Sequence, residues 1–397
     1  MRLRLTAFAA LLGFCGAAHA QGGGVVTIPM TYDRYLFVHP MLNDTVQGRF
    51  MFDTGAQLCL LDSSWVARHG LRFVHVQTAT MLGAGNRKQN AGYVTDTLAF
   101  RLGSHSYTSA PNVIAPLSGL LPGIDGLMNA TAFEGLIFTI DYDSNTMRVL
   151  PRSALDTLLN EERHQRIPFT TDKSNFPVIP LTVVLDSARN RTIGGQVRID
   201  TGDPGSLTLL ADSAQLDRWK EQAVNWRSLS VSLLGVGGGG RVSVIRTEAL
   251  RIGEAAIPAH ELTALEESQA RNDDRIGAVG NALLSQFGSV VFDMRERNIY
   301  LLRGRRFRNK DRIDYSGIPL SRTDRWFVNG SAGNGMAKVR NGNVVTHIDG
   351  RPIDDMAQEE RVSYFCTPDR SYTLTVIRNG VALEIPVTNL NDETLWH

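Results

Sequence analysis

Cysteine is scarce in this chain: Cys15, Cys59 and Cys366 are the three among 397 residues. So few exclude a scaffold held together by disulfides. Cys59 sits inside an apolar run, where a small buried hydrophobe is expected, and a bond from it to Cys366 is the less favoured reading. No Cys/His set has zinc spacing, so a metal centre is not expected, and nothing calls for a cofactor. The nine histidines, among them His39, His69, His164 and His347, are scattered, and none is patterned with Ser64 or Ser206 as a nucleophile would require. A surplus of charge is missing too: the formal net charge is +1, which argues against a nucleic-acid partner. The one basic tract, from Arg303 to Arg312, is isolated and reads as a solvated linker. Long apolar runs are absent, since a span needs ~20 apolar residues and none is that long.

The first twenty residues are a different case. Arg2 and Arg4 precede the apolar run Leu5 to Phe14, and Ala18-His19-Ala20 follows before Gln21. That is the pattern of a secretory signal over residues 1–20, which predicts a periplasmic or secreted mature chain starting near Gln21. The bulky Phe14 before Cys15 argues against a lipoprotein signal. The remaining 397 − 20 = 377 residues are enough for two or three domains.

What is present is a repeat. Phe50-Met51-Phe52-Asp53-Thr54-Gly55 returns as Val197-Arg198-Ile199-Asp200-Thr201-Gly202, and each copy is followed by an apolar run, Leu58 to Leu61 and Leu207 to Leu210. A bulky strand stopping at Asp-Thr-Gly presents a carboxylate at a turn. One copy would mean little, because Asp and Gly are ordinary turn residues. The copies extend further, however. The strand-like segments ending in Asp141 and Asp293 lie 141 − 53 = 88 and 293 − 200 = 93 positions downstream. This is a duplicated half-domain. Two such tips can bring two carboxylates together.

At these residues the chain resembles bacterial aspartyl proteases of the pepsin/retropepsin-like group, in their single-chain, two-lobe form. The resemblance covers roughly residues 25–305 and adds Ala278-Val279-Gly280, which matches the hydrophobic–hydrophobic–Gly segment that packs beside the Asp loop in that family. It implies an all-β, bilobal fold with lobes over 21–152 and 165–305 and a helix from Ser153 to Arg163 between them. It further implies Asp53 and Asp200 as a catalytic dyad, supported by Thr54, Gly55, Thr201 and Gly202, acting on a peptide or protein substrate. Two carboxylates ~3 Å apart share one proton, so the pair can activate a water and protonate the leaving group, with aspartic proteases the standing example.

The residues between the motifs fit strands. Val25 to Met30, Tyr35 to Val38, Gly48 to Phe52, Gly92 to Leu98, Val178 to Leu185 and Gly195 to Ile199 are short β-rich runs between turn signals. Ser63 to Gly70 predicts a short helix capped by Ser63 or Ser64. Met81 to Asn86 predicts a Gly-tipped hairpin, either the family's substrate flap or an ordinary surface hairpin. Gly235 to Gly240 resembles a phosphate loop but leads into the strand-like Val242 to Ile245, so a second hairpin is expected. Two positions depart from the family pattern: Asn129 stands where the first lobe should have Gly, and Asp203 follows the second Asp-Thr-Gly. Asn tolerates positive φ, and an inward Asp203 would raise the proton affinity of the site. A cleft spoiled at these two positions would leave a non-catalytic peptide-binding protein, the rival reading.

Residues 306–397 form a third unit. Asn343 to Ile353 and the hairpin Tyr372 to Gly380 resemble a PDZ domain, which implies an added-strand peptide ligand. The Asn329 to Asn334 segment is a poor match to that domain's carboxylate-binding loop.

Overall fold

The computed structural model describes residues 24–82, 88–117, 123–161, 164–172, 176–231, 240–253, 255–258, 263–267, 275–304, 314–322, 324–328, 330–332, 338–391 and 394. The secretory signal expected over 1–20 therefore lies outside the described residues, as does most of the basic tract.

Three large β-sheets, with a smaller four-stranded one on the first lobe, build the body. The first lobe is an eight-stranded sheet in which Phe50–Asp53 runs parallel to Gly126–Asn129, which in turn lies antiparallel to Cys59–Asp62. Beyond it follow Asn112–Ala115, Lys88–Val94 and, at the edge, Val76–Leu82. The second lobe repeats this order: Arg191–Ile199, Arg275–Val279, Leu207–Ala211, Thr263–Glu267, Gly240–Ile245 and Trp226–Val231. Every pairing keeps its direction, including the parallel steps Asn112–Ala115 on Cys59–Asp62 and Thr263–Glu267 on Leu207–Ala211. The duplication read from the motifs is thus a duplication of topology.

The third sheet joins the lobes. Its two middle strands are Ile137–Asp141 and Ser289–Asp293, one from each repeat, paired antiparallel with Thr139 opposite Val291. These strands follow the two Asp-Thr-Gly loops by similar distances, so the join is nearly symmetric. Phe138 and Phe292 stack face to face across it, with centroids 4.7 Å apart. Both are fully buried within one apolar cluster shared by the lobes. Burying a side chain of this size stabilises by roughly 1.5–3 kcal/mol, so the lobes are fixed to one another by packing.

The helices follow the expected pattern with one correction. Ser63–Arg68 is capped by Asp62, whose carboxylate accepts from the Ser64 amide and hydroxyl. Asp62 is better placed than Ser63 or Ser64, because it ends the preceding strand with extended backbone. Gly70, at φ +60°, closes that helix as expected. The joining helix is Arg152–Glu161, and Arg152 holds the buried Asp293 at 2.7 Å.

The C-terminal region has its own core, built from residues such as Ile318, Val345, Ile348, Leu374 and Val376. Its main hairpin joins Ser371–Arg378 to Val381–Thr388 through Asn379 and Gly380, both at positive φ as a tight two-residue turn demands. The segment expected to hold a carboxylate-binding loop is only partly described. Residues 330–332 form a strand paired with the second lobe, so this part is not an open loop.

Candidate active site

Each Asp ends or follows a strand whose bulky residues are driven into the core. Phe50 and Phe52 of the first strand and Val197 and Ile199 of the second are all fully buried. The chain must turn immediately after, and Thr-Gly makes the turn. Asp53 Oδ1 accepts from the Gly55 amide at 2.7 Å, and Asp200 Oδ1 accepts from the Gly202 amide at 2.9 Å.

The two turns then lock across the lobe boundary. The Thr54 amide donates to Thr201 Oγ1 and the Thr201 amide to Thr54 Oγ1, both at 3.0 Å. Each hydroxyl in turn donates to a strand carbonyl of the opposite lobe, Thr54 to Ile199 at 2.8 Å and Thr201 to Phe52 at 2.9 Å. All four bonds are buried, where a net hydrogen bond is worth about 1 kcal/mol and an orphaned group costs more.

This grip sets the spacing of the carboxylates. A side chain on Gly55 would meet the Asp200 carboxylate at 2.4 Å, and one on Gly202 would meet the Asp53 carboxylate at 2.4 Å. Glycine is needed here for room, because each carboxylate lies over the glycine of the other turn. Asp53 and Asp200 therefore face one another across the lobe boundary. Burial, and then the charge of Asp200, holds the Asp53 carboxyl well above the ordinary range. Burial raises Asp200 as well, against the pull of the Arg198 guanidinium. Two facing acids in such a place hold a single shared proton over a broad pH range.

The two departures from the family pattern resolve differently. Asn129 is extended, at φ −90°, so its tolerance of positive φ is not what suits it. It works through its amide: Nδ2 donates to Gln57 O at 2.8 Å, while Oδ1 accepts from Thr131 at 2.6 Å and from the Cys59 thiol at 3.3 Å. Asn129 thereby ties the first Asp loop to the segment beside it. Asp203 accepts from the Gly205 amide at 2.7 Å and from Thr208 at 3.2 Å. Burial, reinforced by Asp200, pushes its carboxyl up to about 6. That is the direction expected from the sequence.

Several contributors carried no sequence signal. Asn281, fully buried, donates to Thr201 O at 2.5 Å and accepts from the Tyr142 hydroxyl at 2.9 Å. Tyr32 of the first lobe reaches Ser285 of the second at 2.9 Å. Only the fold brings such residues to the junction. The hairpin expected around Met81 to Asn86 is described in its strands, Val76–Leu82 and Lys88–Val94, but residues 83–87 lie outside the described residues. Residues 232–239 of the second hairpin do so as well. Among the described residues no group of three or more His, Cys, Asp or Glu is arranged to hold a metal ion, and no helix is long and apolar enough to cross a membrane.

A family of sequences described as aspartyl protease matches residues 38–130, the stretch running from the strand before Asp53 past Asn129. Among solved structures the chain is similar to an aspartic proteinase from Irpex lacteus, at 12% identity and a TM-score of 0.45, over 72% of this chain and 99% of that one. It is also similar to basic 7S globulin from soybean, at 14% identity and a TM-score of 0.40, over 71% and 95%. No curated protein sequence matches. The two β lobes share one topology and each carries an Asp-Thr-Gly loop at their junction, and the match to aspartyl proteases falls on the first of them.

Proposed function

We propose that this protein is an aspartic endopeptidase that hydrolyses peptide bonds through a water activated by Asp53 and Asp200. The observation that carries the reading is the crossed placement of each carboxylate over the opposite glycine, enforced by the reciprocal Thr54–Thr201 bonds. The ionised member of the pair takes a proton from the water as it attacks the scissile carbonyl. The protonated member gives its proton to that carbonyl oxygen as the tetrahedral intermediate forms. On collapse it takes a proton back from that hydroxyl while the first member passes the water's proton to the leaving amine. Neither role belongs to one residue, because the proton belongs to the pair. The chemistry needs no covalent enzyme intermediate, metal or cofactor. The raised affinity of Asp53 for its proton keeps the mono-protonated pair populated above the ordinary carboxylate range.

The rival, a non-catalytic peptide binder, requires a mis-set dyad. Facing carboxylates, together with an Asn129 that ties its loop down, support the hydrolase. The sequence over 1–20 supports export, with action in the periplasm or outside the cell, and the C-terminal unit remains PDZ-like by sequence. A peptide-library cleavage assay across pH, with Asp53→Asn as control, tests the reading. Cleavage by the native protein alone is expected, and equal product from the Asp53→Asn protein would overturn it. N-terminal sequencing of the exported protein should return a start near Gln21, and an intact Met1 would count against export.

A further inference from the structure

The C-terminal domain is attached to both lobes, next to the dyad. On the first lobe, Arg322 is held by Asp354 of its own domain at 2.9 Å and reaches across to Asp33 at 2.9 Å. Asp33 ends the strand Thr31–Asp33, one residue after Tyr32, which itself crosses to the second lobe. Tyr35, two residues beyond Asp33, is fully buried, and burial holds its phenol well above the ordinary range. Asp33, its neighbour Tyr32, and Asn281, which accepts from Tyr32 and donates to Thr201 O, thus link the C-terminal domain to the second Asp-Thr-Gly turn. Close by, a side chain on Gly123 would meet Asp324 at 2.5 Å, so the chain there touches the domain directly. On the second lobe, residues 330–332 add as an antiparallel strand to Trp226–Val231, with Ser331 opposite Ser230. That strand is the edge of its lobe, and its counterpart in the first lobe, Val76–Leu82, has no such addition among the described residues.

We propose that the C-terminal domain is the end wall of the interlobe cleft and a determinant of substrate length, making short peptides and free chain ends the substrates. The proposal rests on the hydrolase reading. An extended peptide advances about 3.3 Å per residue, so a wall spanning both lobes stops it within a few residues on one side of the dyad. The loops and long segments of folded proteins must pass on both sides and are refused. The edge that such a segment would use for strand pairing on the second lobe is already filled by Gly330–Ala332.

The test uses the full chain and the Arg322→Ala/Ser331→Pro variant, each also carrying Asp53→Asn so that binding is read without hydrolysis. The probes are peptides with a tetrahedral hydroxyl in place of one carbonyl, lengthened by about eight residues, roughly 26 Å as a strand, on one side or the other. Calorimetry should show lengthening tolerated on one side and weakening binding about tenfold or more on the other, with most of that loss relieved in the variant. Hydrogen exchange should show those amides of Leu229–Val231 that face residues 330–332, and not those bonded to Gly240–Ile245, protected in the native chain and exposed in the variant. Equal tolerance on both sides in the native chain, or free exchange there of the Leu229–Val231 amides that face residues 330–332, would overturn the proposal. Length-dependent binding without any cleavage in the Asp53-containing protein breaks the hydrolase reading alone. Cleavage with length-independent binding breaks the wall alone.

Discussion

The two lobes share one topology but stabilise their Asp loops by different means. In the first, six positions separate Asp53 from the next strand at Cys59, and the loop is tied down by the Asn129 side chain. In the second, seven positions separate Asp200 from Leu207, and the neighbouring segment comes so close that a side chain on Gly280 would meet Gly205 O at 2.3 Å. Backbone replaces side chain there, with the Gly280 amide donating to Ser206 O at 3.0 Å and Asn281 to Asp203 O at 2.8 Å. One step earlier the lobes are alike. Side chains on Gly126 and Gly277 would strike the carbonyls of Leu60 and Thr208 at 2.4 and 2.0 Å. The symmetry therefore resides in the strands and the Thr-Gly turns, and the supports around them differ.

The strongest way to break that symmetry is at the carboxylates. Asp53→Asn and Asp200→Asn should each lower kcat/KM on a cleavable peptide by on the order of 10³-fold or more, with the double variant little worse, because the pair acts as one unit. Folding should persist, since Asn keeps an acceptor for the Gly55 or Gly202 amide. An active Asp200→Asn beside an inactive Asp53→Asn would mean that one lobe does the chemistry alone.

The threonines test the grip. Thr54→Ala removes the acceptor of the Thr201 amide and the donor to Ile199 O, and Thr201→Ala removes the mirror pair. Each should cost about 3 kcal/mol in denaturant unfolding, because buried groups are left without partners, and the two should agree within about 1 kcal/mol. A clear inequality would show that the cross-lobe bonds are not energetically equivalent.

The supports should respond unequally. Gly280→Ala puts a methyl against a backbone carbonyl that cannot move without shifting the Asp200 loop, so a loss of about 2–3 kcal/mol is expected together with reduced activity. Asn129→Ala loses three side-chain hydrogen bonds but clashes with nothing, which should cost about 2 kcal/mol. Thermal unfolding and peptide cleavage, measured on both, separate a strained loop from a loosened one. If Asn129→Gly improved the first lobe, Asn129 would be a defect and not a tie.

The fold was largely legible because it is repeated: two Asp-Thr-Gly motifs at matched distances from Asp141 and Asp293 carry more information than any single strand. The strand Tyr35–Val38 was read to the residue, and the Arg191–Ile199 strand only in its last five positions, since Arg191 to Gly194 is polar and Gly-rich and shows no alternation. Asp62 was missed as a cap because the neighbouring serines are equally good caps by type, and only the extended backbone decides. Tyr32, Tyr35 and Asn281 were invisible because their roles depend on contacts across 249 positions or more for Tyr32, or on burial beside a loop that sequence cannot place. The attachment of the C-terminal domain was illegible for the same reason.

Asp203 is where the lobes differ by charge, since Ala56 holds the corresponding place after the first Asp-Thr-Gly. Its carboxyl, raised to about 6 by burial and by Asp200, binds its proton more tightly in the folded chain than in the unfolded one, where an aspartate titrates near 3.9. Its share of the stability is therefore complete below about pH 4 and is lost as pH rises towards about 6. Asp203→Asn cannot ionise and keeps an acceptor for the Gly205 amide, so it should escape that loss. The variant's stability relative to the native chain should grow between about pH 4 and pH 6 by on the order of 1–2 kcal/mol and then level off. The same charge, beside Asp200, helps the dyad hold its shared proton, so removing it should move the alkaline limb of the activity profile to lower pH. Asp→Ala at this position would confound charge with a lost turn, and the Asn variant avoids that. A stability difference that stays flat from pH 4 to pH 7 would mean that Asp203 is already ionised and solvated throughout, and that the second lobe gains nothing electrostatic from it.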